Sequence, residues 1–255
     1  MLDATTATWV EVRDFFAQPK LAVIAAGAQE QHGPHLPLAT DTVMSAGVAR
    51  RLAEDLGALL LPPIAYGDAW NNDRFAGTLS LSPDTIRAIF VDLGRGLQRT
   101  GAIGLIVVNG HFGNREPIML AARDLQEQTQ FALLLLDYPD LAELAAQICT
   151  STPAAPHFYH ADEVETAIML ALAPDQVHMD RAAPEYPSFP ATYWSEPTML
   201  HTFCQSGVFG DPTHATAEKG RQLLDGIAAG NLRLAQAFVE RLREAVTSRA
   251  QENDR

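Results

Sequence analysis

Residues 21–42 read LAVIAAGAQEQHGPHLPLATDT. The apolar run 21–26 stops at Gly27. Glu30, His32, His35 and Asp41 then follow among Gly33, Pro34 and Pro37, with no Lys or Arg. A short apolar run without alternation reads as a strand buried on both faces. Beyond the polar loop, Val43, Met44, Val48 and Leu52 recur at helical spacing, so 42–56 is a predicted helix closed by Gly57. The run IGLIVV, 103–108, repeats the arrangement. It enters Asn109-Gly110-His111-Phe112-Gly113-Asn114 and then a predicted helix, 116–128.

The same reading extends outward. Strands are expected at 58–64 and 131–136. Helices are expected from an N-cap at Ser82 to Arg99, at 140–148, at 163–172 and at 216–243, the last broken near Gly230. Residues 151–156 form a turn cluster. The segment 181–210, rich in Pro, aromatics and Thr, is irregular and packs over a site, and 251–255 is a frayed tail. Apolar strands alternating with helices imply an α/β fold, a parallel sheet covered on both faces, and 1–255 as a single domain.

Bulk composition excludes several classes. A net charge of −13 argues against nucleic acid or an anionic membrane as the main partner. Cys149 and Cys204 lie far apart and outside any CxxC pair, as expected of buried thiols in a reducing cytoplasm. The opening MLDATTATWVEVRDF has no apolar signal core, and no apolar run approaches the ~20 residues that span a bilayer. A soluble cytoplasmic protein is expected.

Ligands of a parallel sheet collect beyond the carboxyl ends of its strands. Both polar loops follow directly on strong strands, so Glu30, His32, His35, Asp41 and His111 arrive at one edge. Imidazole with carboxylate is a ligand set for zinc, manganese or iron. Glu30 and His32, two apart, point the same way in extended backbone. Asp41 can turn back to the strand end from its helix N-terminus, which favours negative charge, and so is the candidate bridge between two ions ~3.5–4 Å apart. A helix cap, a proline-shaped turn and two surface histidines would explain each residue singly, but not the group.

HFYHADEVETAIMLAL, 157–172, places His160 before a helix whose first turn holds Asp162, Glu163 and Glu165. The helix dipole alone accounts for acids there, and Glu163 and Glu165, two apart, cannot share a helix face. His178, His201 and His214 read as surface or structural residues. Trp70, Tyr193 and Trp194 either wall a pocket, the favoured reading, or close the core, and Asn109 and Asn114 either brace their turn or bring an amide near the metal. No GxSxG, P-loop or GxGxxG occurs.

Five blocks resemble the creatininase (creatinine amidohydrolase) family: GAQEQHGPHLPLATDT (27–42), FAGTLSL (75–81), VNGHFGN (108–114), HADEVETA (160–167) and GVFGDPTHATAEKG (207–220). They run in family order over nearly the whole chain. The resemblance implies a Rossmann-like three-layer α/β/α domain, commonly a hexamer, with two divalent ions (Zn, Mn or Fe) and a metal-bridging hydroxide that cleaves amide-type C–N bonds of small molecules or peptide precursors. By position it implies Glu30, Asp41 and His111 on one ion, His32 and the bridging Asp41 on the other, and His160 as the residue that transfers a proton.

The chain departs from creatininase at Gly113, where the family enzyme has a glutamate, and Glu165 is expected to supply the missing carboxylate. Phe112 stands where creatininase has a substrate-contacting tyrosine, and Asp162 replaces the usual glycine. Trp70, Asn71, Arg74, Phe112 and Trp194 are the expected substrate contacts. The alternatives are a metal-dependent hydrolase of a lactone or cyclic ketone, and a binding protein with structural ions.

Overall fold

The structure, a computed structural model, describes residues 1–253, with side chains through Glu244. Five strands form one all-parallel sheet: β1 (Leu2–Asp3), β2 (Ala22–Ala26), β3 (Leu59–Leu60), β4 (Leu105–Asn109) and β5 (Leu133–Leu136), in the order β1-β3-β2-β4-β5. Seven helices accompany it among the described residues: α1 (Trp9–Phe15), α2 (Thr40–Leu56), α3 (Pro83–Thr100), α4 (Arg115–Thr129), α5 (Leu141–Ile148), α6 (Glu163–Leu172) and α7 (Ala217–Asn253). None is long and apolar enough to cross a membrane.

Successive strand side chains enter opposite layers, as pleating demands. Val23, Ala25, Ile106 and Val108 pack with Met44, Val48 and Leu52 of α2, Ile168 of α6, and Leu223 and Ile227 of α7. Ala22, Ile24, Leu105 and Val107 pack with Ile86 and Phe90 of α3 and with Ile118 and Leu125 of α4. With both faces covered, β2 and β4 are buried at every position, which explains their unbroken apolar sequence.

From β2 the chain moves to β3 on one side and later to β4 on the other, so β2 and β4 flank the point where strand order reverses. Their carboxyl ends are level, with Ala26 opposite Asn109. Gly27 and Gly110 come next. A methyl on Gly27 would lie 2.5 Å from Thr42 N, and one on Gly110 would lie 2.5 Å from the Asp41 carbonyl. Bare backbone at both strand ends is therefore what admits the first turn of α2, and Asp41 with it.

Three sequence expectations need correction. The strand expected at 58–64 is only two residues long, because Pro62 and Pro63 lack ladder donors; pairing resumes as a single bridge from Ile64 to Ala26. Helix α7 runs through Gly230 unbroken. That glycine marks close packing, since a methyl there would lie 2.8 Å from Pro139 Cγ. The expected tail begins inside α7, and residues 254–255 lie outside the described residues. Helix α1 was not expected, although Thr8 and Glu11 form a complete capping box at its start. Cys204 is buried and Cys149 partly so; both thiols are free.

Gly27→Ala is expected to cost about 1–3 kcal/mol, as overpacking against fixed backbone does. Urea unfolding of the purified variant measures this, and an unchanged midpoint would show that α2 can yield.

Candidate metal centre

Asp41, in the first turn of α2, is buried at the junction of the two strand-end loops. Its Oδ1 lies 3.0 Å from His32 Nε2, and its Oδ2 lies 3.2 Å from His111 Nδ1. Each oxygen thus faces a different imidazole. Oδ2 nevertheless has no hydrogen-bond partner. A buried carboxylate oxygen without a donor is costly unless a cation meets it.

The far nitrogen of each imidazole is committed to a backbone carbonyl. His32 Nδ1 is 3.1 Å from the Glu30 carbonyl, and His111 Nε2 is 2.7 Å from the Asp68 carbonyl. A carbonyl only accepts, so each of these nitrogens carries a proton and donates it. In the neutral rings the near nitrogens therefore present lone pairs to carboxylate oxygens. This is the outer-shell arrangement that orients metal-binding histidines.

Two more carboxylates close the group. Glu30 Oε1 lies 2.9 Å from His111 Nδ1, while Glu30 Oε2 accepts from Asn72 Nδ2 at 2.8 Å. Glu165 Oε2 lies 3.6 Å from His32 Nε2 and accepts the Ala161 amide at 2.7 Å. Asp162 caps α6 by accepting from the amides of Val164 and Glu165. Ala161 takes a left-handed φ of 50°, which turns the chain sharply between His160 and the cap. Glu163 points elsewhere, as its spacing from Glu165 requires: it accepts from the Thr150 and Ser151 amides and pairs with Lys219 of α7.

Three triplets have donor atoms within 4.8 Å of one another: Glu30–Asp41–His111, His32–Asp41–Glu165 and Glu30–His32–His160. Without a cation the group is electrostatically severe. Burial opposes charge on His32, yet Asp41 and Glu165 push it up to about 10, and His111 likewise rises well above the ordinary imidazole range beside Glu30. Burial pushes Glu165 up to about 8. The site draws positive charge, and its donors suit a divalent ion.

The absent family glutamate has a steric reason here. A side-chain carbon on Gly113 would lie 2.0 Å from the Asp68 carbonyl and 2.7 Å from His111 Nε2. Glu165 lies with His32 and Asp41 in the second triplet.

The cluster opens into a cavity of about 920 Å³ lined by Trp70, Asn71, Phe112, Tyr138, His160 and Trp194, among others. Arg74 is exposed and does not line it. His35 is buried but belongs to none of the triplets; it is bonded to Thr166 Oγ1 at 2.8 Å, and burial, with the neighbouring His32, lowers it to about 4. His178, His201 and His214 are exposed. Asn109 and Asn114 brace their turn: Asn109 Nδ2 donates to the His111 carbonyl and Asp137, and Asn114 Nδ2 donates to the Gly27 carbonyl. Sequence reasoning passed over Asn72, Gln31 and Tyr138. The Tyr138 hydroxyl is buried without a hydrogen-bond partner. Only the position of Tyr138 just past β5, at the same sheet edge, could have singled it out.

Fold and site together define an α/β protein with a parallel sheet and a buried His/Glu/Asp cluster of metal-binding type at its carboxyl edge. The chain belongs to the creatininase family of amidohydrolases, whose sequence profile, described as creatinine amidohydrolase, matches residues 5–235. The mycofactocin precursor peptide peptidase of Mycobacterium ulcerans (strain Agy99) is 34% identical over 215 residues, spanning 79% of this chain and 78% of that one. The creatinine amidohydrolase of Pseudomonas putida is 32% identical over 222 residues, spanning 82% and 85%. Solved creatininases, one a manganese form and one a variant of zinc–zinc type, match with a TM-score of 0.78 at 29% identity, covering 94% of this chain and 98% of theirs.

A pH dependence follows for the chelator-stripped protein. The pKa of His32 rises from 6.5 to about 10 on folding, so its contribution is complete below pH 6.5 and is lost as pH climbs toward 10. Urea midpoints of stripped protein are expected to fall across that window. Metal-loaded protein should lack this slope, because the nitrogen then holds an ion in place of a proton.

Proposed function

We propose that the chain is a dinuclear metal hydrolase that cleaves a peptide-type C–N bond. The observation that carries this reading is the convergence of three buried carboxylates on the free lone pairs of two imidazoles, with no Lys or Arg among them. Glu30, Asp41 and His111 would hold one ion and His32, Asp41 and Glu165 the other, with Asp41 common to both sets. Two divalent charges offset three carboxylates, which one ion could not. Zinc and manganese are the favoured ions, after the forms in which solved relatives occur.

Bound ions of this kind lower the pKa of a coordinated water and polarise a carbonyl. The chain's own groups do the rest. Asn72 fixes the Glu30 carboxylate, the Glu30 and Asp68 carbonyls fix the imidazole tautomers, and His160 presents a ring N–H to the scissile amide. Trp70, Asn71, Phe112 and Trp194 wall the substrate. Each triplet supplies three protein donors and faces a cavity, whereas structural sites are closed by four; this favours catalysis over a purely structural role. The cavity, near the upper end of the usual ligand range, exceeds what a single small ring requires. With the peptidase relative, this supports a peptide-type substrate over creatinine.

Elemental analysis of wild type and Asp41→Ala tests the metal centre. Wild type is expected to hold two ions per chain. The variant should lose both, with activity down by more than the roughly 10–100-fold typical of an outer-shell change. A metal-free, active wild type would end the proposal. A panel of short peptides, a formamide, creatinine and a lactone tests the bond: turnover of peptides foremost is expected, and turnover of the lactone alone would overturn it.

A further inference from the structure

Gln31, between the two ligands Glu30 and His32, is buried, and its amide touches His160. Its neighbours decide which way that amide lies. The Glu30 carboxylate only accepts, so the Asn72 group 2.8 Å away is its NH2, and Asn72 Oδ1 turns to Gln31 Nε2 at 2.9 Å. The Gly33 amide only donates, and it lies 2.9 Å from Gln31 Oε1. The Gly207 carbonyl only accepts, and it lies 3.3 Å from Gln31 Nε2. Reversing the Gln31 amide would set N–H against N–H at Gly33 and oxygen against oxygen at both Asn72 and Gly207.

The Gln31 NH2 therefore meets His160 Nε2, at 2.8 Å. An amide NH2 has no lone pair to offer, so Nε2 must accept, and the proton of the neutral ring sits on Nδ1. Nδ1 is the nitrogen on the cluster side, 4.0 Å from Glu30 Oε1, and the ring lies tilted by 37° with its centroid 4.5 Å from that of His32.

We propose that Gln31 is a positioning residue that holds His160 in the Nδ1–H tautomer, so that the ring serves the site as a fixed hydrogen-bond donor. Neither nitrogen then has a lone pair for an ion. The Glu30–His32–His160 triplet is thereby removed as a metal site, although its atoms lie as close together as those of the other two. The tautomer stands on hydrogen-bond polarity alone, and its kinetic consequence rests on the proposed hydrolase function.

A neutron structure of the deuterium-exchanged, zinc-loaded protein reads the proton directly. Deuterium on His160 Nδ1 and none on Nε2 is expected; deuterium on Nε2, or zinc against Nδ1, overturns the proposal. Gln31→Glu keeps the size but replaces the donor with an acceptor, and should move the proton to Nε2. With zinc content unchanged, kcat is expected to fall about 100-fold, as when one preorganised donor is removed, with KM within about threefold. An unchanged kcat, or a change confined to KM, would overturn the positioning role. If wild type hydrolyses nothing on the panel, the proposed function fails while the neutron result still decides the tautomer.

Discussion

Three carboxylates share one buried cluster with two imidazole lone pairs. Removing carboxylates from water is costly, and leaving them uncompensated in a low-dielectric interior costs more. Much of the surrounding structure is explicable as accommodation of that charge. Backbone carbonyls take the outward N–H of each histidine, so the inward nitrogens are free. Asn72 anchors one oxygen of Glu30 and leaves the other for the centre, and the Ala161 amide anchors the Glu165 oxygen that faces His32.

The fold meets this demand at the one place where an open parallel sheet leaves a crevice, the ends of the two strands that flank its reversal. Two glycines let a helix terminus enter there. Residues from three distant stretches then meet: the loop after β2 with the start of α2, the loop after β4, and the first turn of α6. The last is secured from behind, because Glu163 ties α6 to Lys219 of α7 and to the 150–151 backbone. One carboxylate at the start of α6 holds the helix and its neighbour two residues on faces the centre.

Much of this was legible in the sequence, and for physical reasons. Strands buried on both faces announce themselves by unbroken apolar runs, so β2, β4 and the parallel sheet could be read directly. Glu30, His32, Asp41 and His111 stood out because each follows a strand end and belongs to a ligand-type residue class. Glu165 did not, since acids in a first helical turn are expected on dipole grounds; only the family resemblance marked it. Asn72 and Gln31 carry no compositional signal, because an amide becomes informative only when its partners are known. Arg74 and the supposed break at Gly230 misled for a related reason: a loop cation and a helical glycine look the same in sequence whether they face a pocket, a neighbour or solvent.

Ala161 shows what such convergence demands of the backbone. It is fully buried, with φ at 50°, where a residue bearing a Cβ loses about 1–2 kcal/mol. Glycine would relieve that strain, but it would remove a methyl from the core and admit many more conformations to the turn. The alanine keeps a conformation it does not favour because its amide, its methyl and both neighbours are engaged at once. His160, the cap and Glu165 are consequently joined through one tight turn. The spacing between the His160 ring and the Glu165 carboxylate is thus set by that turn and not by the packing of distant helices.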